Sequence, residues 1–135
     1  MRRDDWLLRL DALLGRLDSR PFVWGYNDCC TLAADAVEAV TGHNPLPHLR
    51  GSYETRQGAL RWLAREGFAG FPDALERFAG RPREHALMAQ RGDVVLLGEF
   101  AVGVVDGAGR IAHYSPDHAG LMRAQIGEAK RAWGA

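Results

Sequence analysis

Two adjacent cysteines, Cys29 and Cys30, are the only thiols in the chain. They follow Pro21-Phe22-Val23-Trp24-Gly25-Tyr26-Asn27-Asp28, a run of aromatic, turn-forming and capping residues. Asn27 or Asp28 is a natural helix N-cap, and an apolar-periodic segment begins directly after it. The pattern predicts Cys29 at the first turn of a helix. There the unpaired N–H groups and the helix dipole favour negative charge, and so thiolate over thiol. A thiol so placed can have its pKa drawn from about 8.5 into the range of about 3.5–7.5. The chemistry expected is nucleophilic: the sulfur attacks a carbonyl carbon, a base takes the thiol proton, and helix N–H groups hold the oxyanion. Cys30, about 100° further round the helix, is expected to face the core. The bland alternative for Cys29, a small buried hydrophobe, is weighed down by the Trp-Gly turn and the Asp before it.

A base must come from elsewhere in the chain. Of five histidines, His43 and His48 fall in a Pro-rich loop, His85 in a polar connector and His118 in a turn after Ser115-Pro116-Asp117, all expected to be solvated. His113 sits in Arg110-Ile111-Ala112-His113-Tyr114-Ser115, which reads as a strand. Alternation puts it on the face of Ile111, and an inward histidine on a strand facing the cysteine helix is a candidate partner. A satisfied core histidine is the competing reading. A metal site made of Cys29, Cys30, His113 and His118 departs from the usual gap of about two to four residues between zinc-ligand cysteines, so no metal is expected. The proposed chemistry needs no cofactor. Neighbouring Cα atoms lie about 3.8 Å apart, shorter than the usual disulfide span of about 4.4–6.8 Å, so two reduced thiols are expected.

The elements that would position these groups follow from periodicity. Trp6, Leu7, Leu10, Leu13, Leu14 and Leu17 share one helical face, giving a helix over about residues 4–18 with Asp4 or Asp5 as cap and Ser19-Arg20-Pro21 as its end. The cysteine helix runs from about Asp28 to Val40, with Leu32, Ala33, Ala36, Val37 and Val40 inward and Thr41-Gly42 as its stop. Its alanines let other elements approach closely. After a loop with Pro45 and Pro47, Thr55–Glu66 reads as a third helix and Pro72–Phe78 as a short fourth. Then the period changes to two. Asp93–Leu97, Phe100–Val105, Arg110–Ser115 and Leu121–Gln125 read as strands, with Gly98-Glu99 and Asp106-Gly107-Ala108-Gly109 as tight connections. Residues 128–133 read as a last helical turn or an extended tail. Helices first and strands after predict an α+β fold, a small antiparallel sheet packed on the cysteine helix.

The 135 residues suffice for a single domain over 1–135. With 17 basic and 17 acidic residues the formal net charge is zero, which gives no electrostatic ground to expect nucleic acid or an anionic membrane surface as partner. No run reaches the roughly 18 apolar residues of a membrane span. Asp4, Asp5, Arg9 and Asp11 interrupt any signal-peptide core near the start, so synthesis in the cytoplasm is expected, with residence there until something else carries the protein out.

Taken together, these residues resemble the NlpC-type branch of papain-like cell-wall peptidases. The pieces are Phe22-Val23-Trp24-Gly25, Asp28-Cys29, Gly92-Asp93-Val94-Val95, Ala101-Val102-Gly103-Val104 and Ile111-Ala112-His113, in the order the family has them and over residues 21–115. The resemblance implies Cys29 as nucleophile, His113 at the position that orients the base, and Trp24, Tyr26 and Asp28 around the substrate, a bacterial cell-wall peptide. Ala101 stands where the family carries its general base, and an alanine accepts no proton. Two outcomes follow: His113 serves as base itself, or the fold is kept as a catalytically degenerate building block. The compact form also resembles NlpC-like proteins encoded among phage-tail and gene-transfer-particle genes. This implies tail or baseplate proteins as partners and incorporation into a phage-like particle; the N-terminal helix and Trp133 are candidate contact elements, although packing on this protein's own core is the favoured reading of both. A third use of the same cysteine is acyl or amide transfer on a small substrate.

Overall fold

The computed structural model describes residues 2–98 and 101–135. Four α-helices come first among the described residues: α1 (Trp6–Leu17), α2 (Cys29–Thr41), α3 (Arg56–Arg65) and α4 (Phe71–Phe78). Six strands follow: β1 (Arg81–Pro82), β2 (Val94–Gly98), β3 (Ala101–Val105), β4 (Ile111–Tyr114), β5 (Leu121–Ala124) and β6 (Arg131–Gly134). They form one antiparallel sheet in the order β1-β6-β2-β3-β4-β5. Helices and sheet thus segregate along the chain, and the class is α+β. Of the predicted Gly98-Glu99 connection and the strand start at Phe100, Glu99 and Phe100 lie outside the described residues.

Caps place the helix ends. Thr55 accepts a hydrogen bond from the Gly58 N–H at 3.0 Å and starts α3. Gly42, at φ 87°, ends α2 in the left-handed conformation that costs glycine least. The start of α1 differs from expectation. Asp5 occupies the N-cap position, but its carboxylate accepts from Arg3 Nε rather than from a helix N–H.

All four helices lie on one face of the sheet. Leu10, Leu13, Leu14 and Leu17 of α1 and Leu32 and Ala36 of α2 pack with Val104, Ala112 and Tyr114. Residues of α3 and α4, including Trp62, Leu63, Phe71 and Leu75, pack with Val94, Leu96, Val102 and Trp133. The opposite face carries Val95, Val105, Ile111, Ala124 and Ala132, covered in part by Ala89, Leu97, Ile126 and Ala129. Both faces are therefore apolar, and strand residues of either parity are buried.

The C-terminal segment is an interior strand. β6 inserts between β1 and β2, pairing Trp133 with Val94 and with Pro82, and Trp133 is fully buried. Trp133 thus packs in this chain's own core, the reading favoured for it over contact with a partner. The buried leucine stripe of α1 likewise serves this chain's own core, and Leu8 alone among its leucines is widely exposed.

Candidate functional site around Cys29

The turn before α2 is built from backbone bonds. Val23 and Asn27 exchange hydrogen bonds at 3.0 and 2.8 Å, closing a narrow loop over Trp24, Gly25 and Tyr26. Gly25 has φ 87°, and a Cβ placed there would lie 2.0 Å from the Tyr53 carbonyl oxygen. Only glycine meets both conditions.

Asp28 then starts the helix. It is fully buried and extended, at φ −139° and ψ −173°. Its Oδ1 accepts from the Thr31 N–H at 2.9 Å while the Thr31 hydroxyl accepts from the Asp28 N–H at 2.8 Å, a reciprocal capping box. Its Oδ2 accepts from the Gly25 N–H at 2.8 Å and from the Tyr53 hydroxyl at 2.7 Å. The carboxylate is therefore enclosed by its own turn and has no face left for a substrate. This corrects the expectation of Asp28 as a substrate-binding residue: it positions Cys29. Tyr53, brought in from the loop before α3, was not singled out in the sequence, because no local period marks a residue that meets Asp28 from 25 positions away.

Cys29 is the first residue of α2. It lies against the core at 4% exposure, yet it forms part of the wall of a cleft of about 500 Å³. Phe22 and Trp24, edge to face with ring centroids 4.8 Å apart, give it an aromatic lining, and Ala101, Ser115 and Pro116 line it as well. Arg56, the first residue of α3, and His113 also line it. Tyr26 is not among the lining residues, and its side chain is half exposed.

Cys30 is a core residue. Burial first, then the neighbouring Cys29 and Asp28, push its thiol well above the usual range. Burial, Cys30 and Asp28 likewise raise the Tyr53 phenol, which stays a neutral donor to Asp28. Neither cysteine is in a disulfide.

His113 pairs with Gly103 and Met122. It shares the parity of Ile111, as expected, and a Cβ on Gly103 would meet both Ile111 Cγ2 and His113 Cβ. That parity belongs to the face turned away from the helices, whereas Ala112 and Tyr114 pack towards α1 and α2. The expectation that His113 looks straight onto the cysteine helix is corrected accordingly: it reaches the cleft at the sheet margin, beside Ala101. Tyr114 also lines the cleft. Its hydroxyl is buried without a hydrogen-bond partner among the described residues, and burial pushes its pKa up to about 12. No group of three His, Cys, Asp or Glu side chains among the described residues could hold a metal ion.

A family model described as a domain of unknown function, DUF6950, matches residues 1–135. The chain belongs to the DUF6950 family. No curated protein and no solved structure matches it. Within this DUF6950 chain, a second groove of about 570 Å³ lies between α1 and α2 and is lined by Arg9, Arg16, Arg20, Asp35, Glu38 and Arg50. Arg50 there is bound to Asp35 through both terminal nitrogens, at 3.3 and 2.8 Å. Cys29 lines the cleft and is not among the lining residues of that groove.

Proposed function

We propose that this protein is a papain-like, NlpC-type cysteine peptidase or amidase acting on amide bonds of bacterial cell-wall peptides, and that it works as a component of a phage-like tail or baseplate. The observation that carries the reading is Cys29 at the first position of a tightly capped helix, opening on a cleft with an aromatic wall and His113 at its margin. In the proposed reaction Cys29 Sγ attacks the amide carbonyl carbon as its proton passes to His113. First-turn N–H groups of α2 stabilise the oxyanion. The C–N bond then breaks, the amine leaves with the proton from His113, and water hydrolyses the thioester to free the acid and regenerate the thiol. Asp28 and Tyr53 hold the helix start in register for the attack.

A second reading, a catalytically degenerate adaptor of the tail tip, is favoured by Ala101, which lines the cleft and stands where the sequence resemblance leads one to expect a base. Purified protein on peptidoglycan separates the two. Release of soluble peptide fragments by wild type, abolished in Cys29→Ala and reduced at least about 100-fold in His113→Ala, supports the peptidase. Absence of release by wild type, with stable binding to a neighbouring tail protein, overturns it in favour of the adaptor.

A further inference from the structure

We propose that the groove between α1 and α2 docks an extended, acidic peptide segment of a partner protein, held by its carboxylates on Arg9, Arg16 and Arg20. The inference does not depend on the chemistry of Cys29. It starts from how the charges of α1 are sorted. Arg9 and Arg16 line the groove, together with Arg20 just beyond the helix end. Asp11 and Asp18 of the same segment line a separate hollow with Asp106 and Arg123, where Arg123 binds Asp18 at 2.9 Å. A chain of zero formal net charge thus places cations, and no carboxylate, from its first helix along the groove.

The fold uses these guanidiniums only in part. Arg50 is paired with Asp35, and Arg9 donates its Nε to the Ala39 carbonyl at 3.2 Å. Arg16 and Arg20 are exposed and make no ion pair or side-chain hydrogen bond among the described residues. The dipole of α1 favours a cation at Arg16, in its last turn, but gives no reason for Arg9 near the other end. With Arg50 and Asp35 cancelling, three arginines against Glu38 leave a surplus of two positive charges in the groove. Arg9 and Arg16 lie two helical turns apart, about 10 Å along α1. Three residues of extended chain span about the same distance, so a peptide with spaced carboxylates matches the row better than one small anion does. A nucleic-acid strand fits less well. No aromatic side chain is among the described lining residues to stack on a base. Glu38 would repel a phosphate, whereas it accepts hydrogen bonds from peptide N–H groups.

The test measures fluorescence anisotropy of dye-labelled hexaglutamate, and of an oligothymidylate of equal charge with the same dye, titrated with the full chain at low ionic strength. The proteins are wild type, Arg16→Gln/Arg20→Gln, and Arg61→Gln/Arg65→Gln, which removes the same charge from exposed positions on α3 outside the groove. All substituted side chains are exposed, so Tm should stay within about 2 °C of wild type. Hexaglutamate should bind wild type saturably, about fivefold or more weakly to Arg16→Gln/Arg20→Gln, and within about twofold of wild type to the α3 variant. Absence of saturable binding to wild type, or equal loss in both variants, overturns the proposal. Oligothymidylate that binds wild type more tightly than hexaglutamate and is lost in Arg16→Gln/Arg20→Gln overturns it in favour of nucleic acid.

Discussion

Asp28 and Tyr53 make the hydrogen bond on which the position of Cys29 depends, and its energy can be worked out from its partners. Asp28→Ala removes an N-cap worth about 1 kcal/mol. It also strips the Gly25 N–H and the Tyr53 hydroxyl of their acceptor, at 2.8 and 2.7 Å in the native protein. Each buried donor left unsatisfied costs about 1–3 kcal/mol. Water filling the vacated space returns part of this, leaving about 3–5 kcal/mol net. A domain of this size has about 5–15 kcal/mol in all, so Tm should drop by about 10–20 °C.

Tyr53→Phe alone should cost about 1–2 kcal/mol, because Oδ2 keeps the Gly25 N–H. Combined with Asp28→Ala it should cost little more or restore stability, since it removes a phenol that has lost its carboxylate acceptor. The double-mutant cycle therefore carries a coupling of at least about 1 kcal/mol. Urea unfolding followed by the fluorescence of the four tryptophans measures all three variants. Simple additivity, or a loss below about 1 kcal/mol for Asp28→Ala, would refute the account of how the helix start is held.

Two further outcomes rest on other parts of the fold. Trp133→Ala, which empties a fully buried site between β1 and β2, should cost about 3–5 kcal/mol in the same urea titration; a loss under about 1 kcal/mol would mean that β6 does not pair in solution. Asp106 gives the chain a defined acid response. Burial pushes its carboxyl up, but the Arg110 N–H, the Arg123 guanidinium and the Ala108 N–H outweigh burial and hold it below the ordinary value of 3.8. A lowered folded-state pKa adds stability that is whole above the unfolded value and is lost as acid carries the pH below it. Asp106→Asn should therefore flatten the fall of stability with acid below about pH 4, and an unchanged slope would remove Asp106 from the account.

Much of the site was legible because it is local. The Trp-Gly turn, Asp28 as cap and Cys29 in the first helical turn are set by neighbours within a few residues, where capping chemistry and backbone preference act directly. Period likewise located four helices and the strands over 94–98, 101–105, 111–114 and 121–124 to within a residue or two. The Asp28 carboxylate was misread as facing substrate because a capping side chain and a binding side chain look alike until their partners are known.

What the amino-acid order determined by itself is the set of elements and which residues share a side of each strand. Tertiary structure alone decided which side faces what. Ile111 and His113 share a parity, but Ala112 and Tyr114 are as buried as Ile111, because the sheet is covered on both faces. Alternation then carries no label for the helix side. The same holds for β6 docking between β1 and β2, for Tyr53 meeting Asp28 and for Arg56 joining the cleft. Each joins residues far apart in the chain, and such pairings are fixed by packing of the whole, to which no local period corresponds.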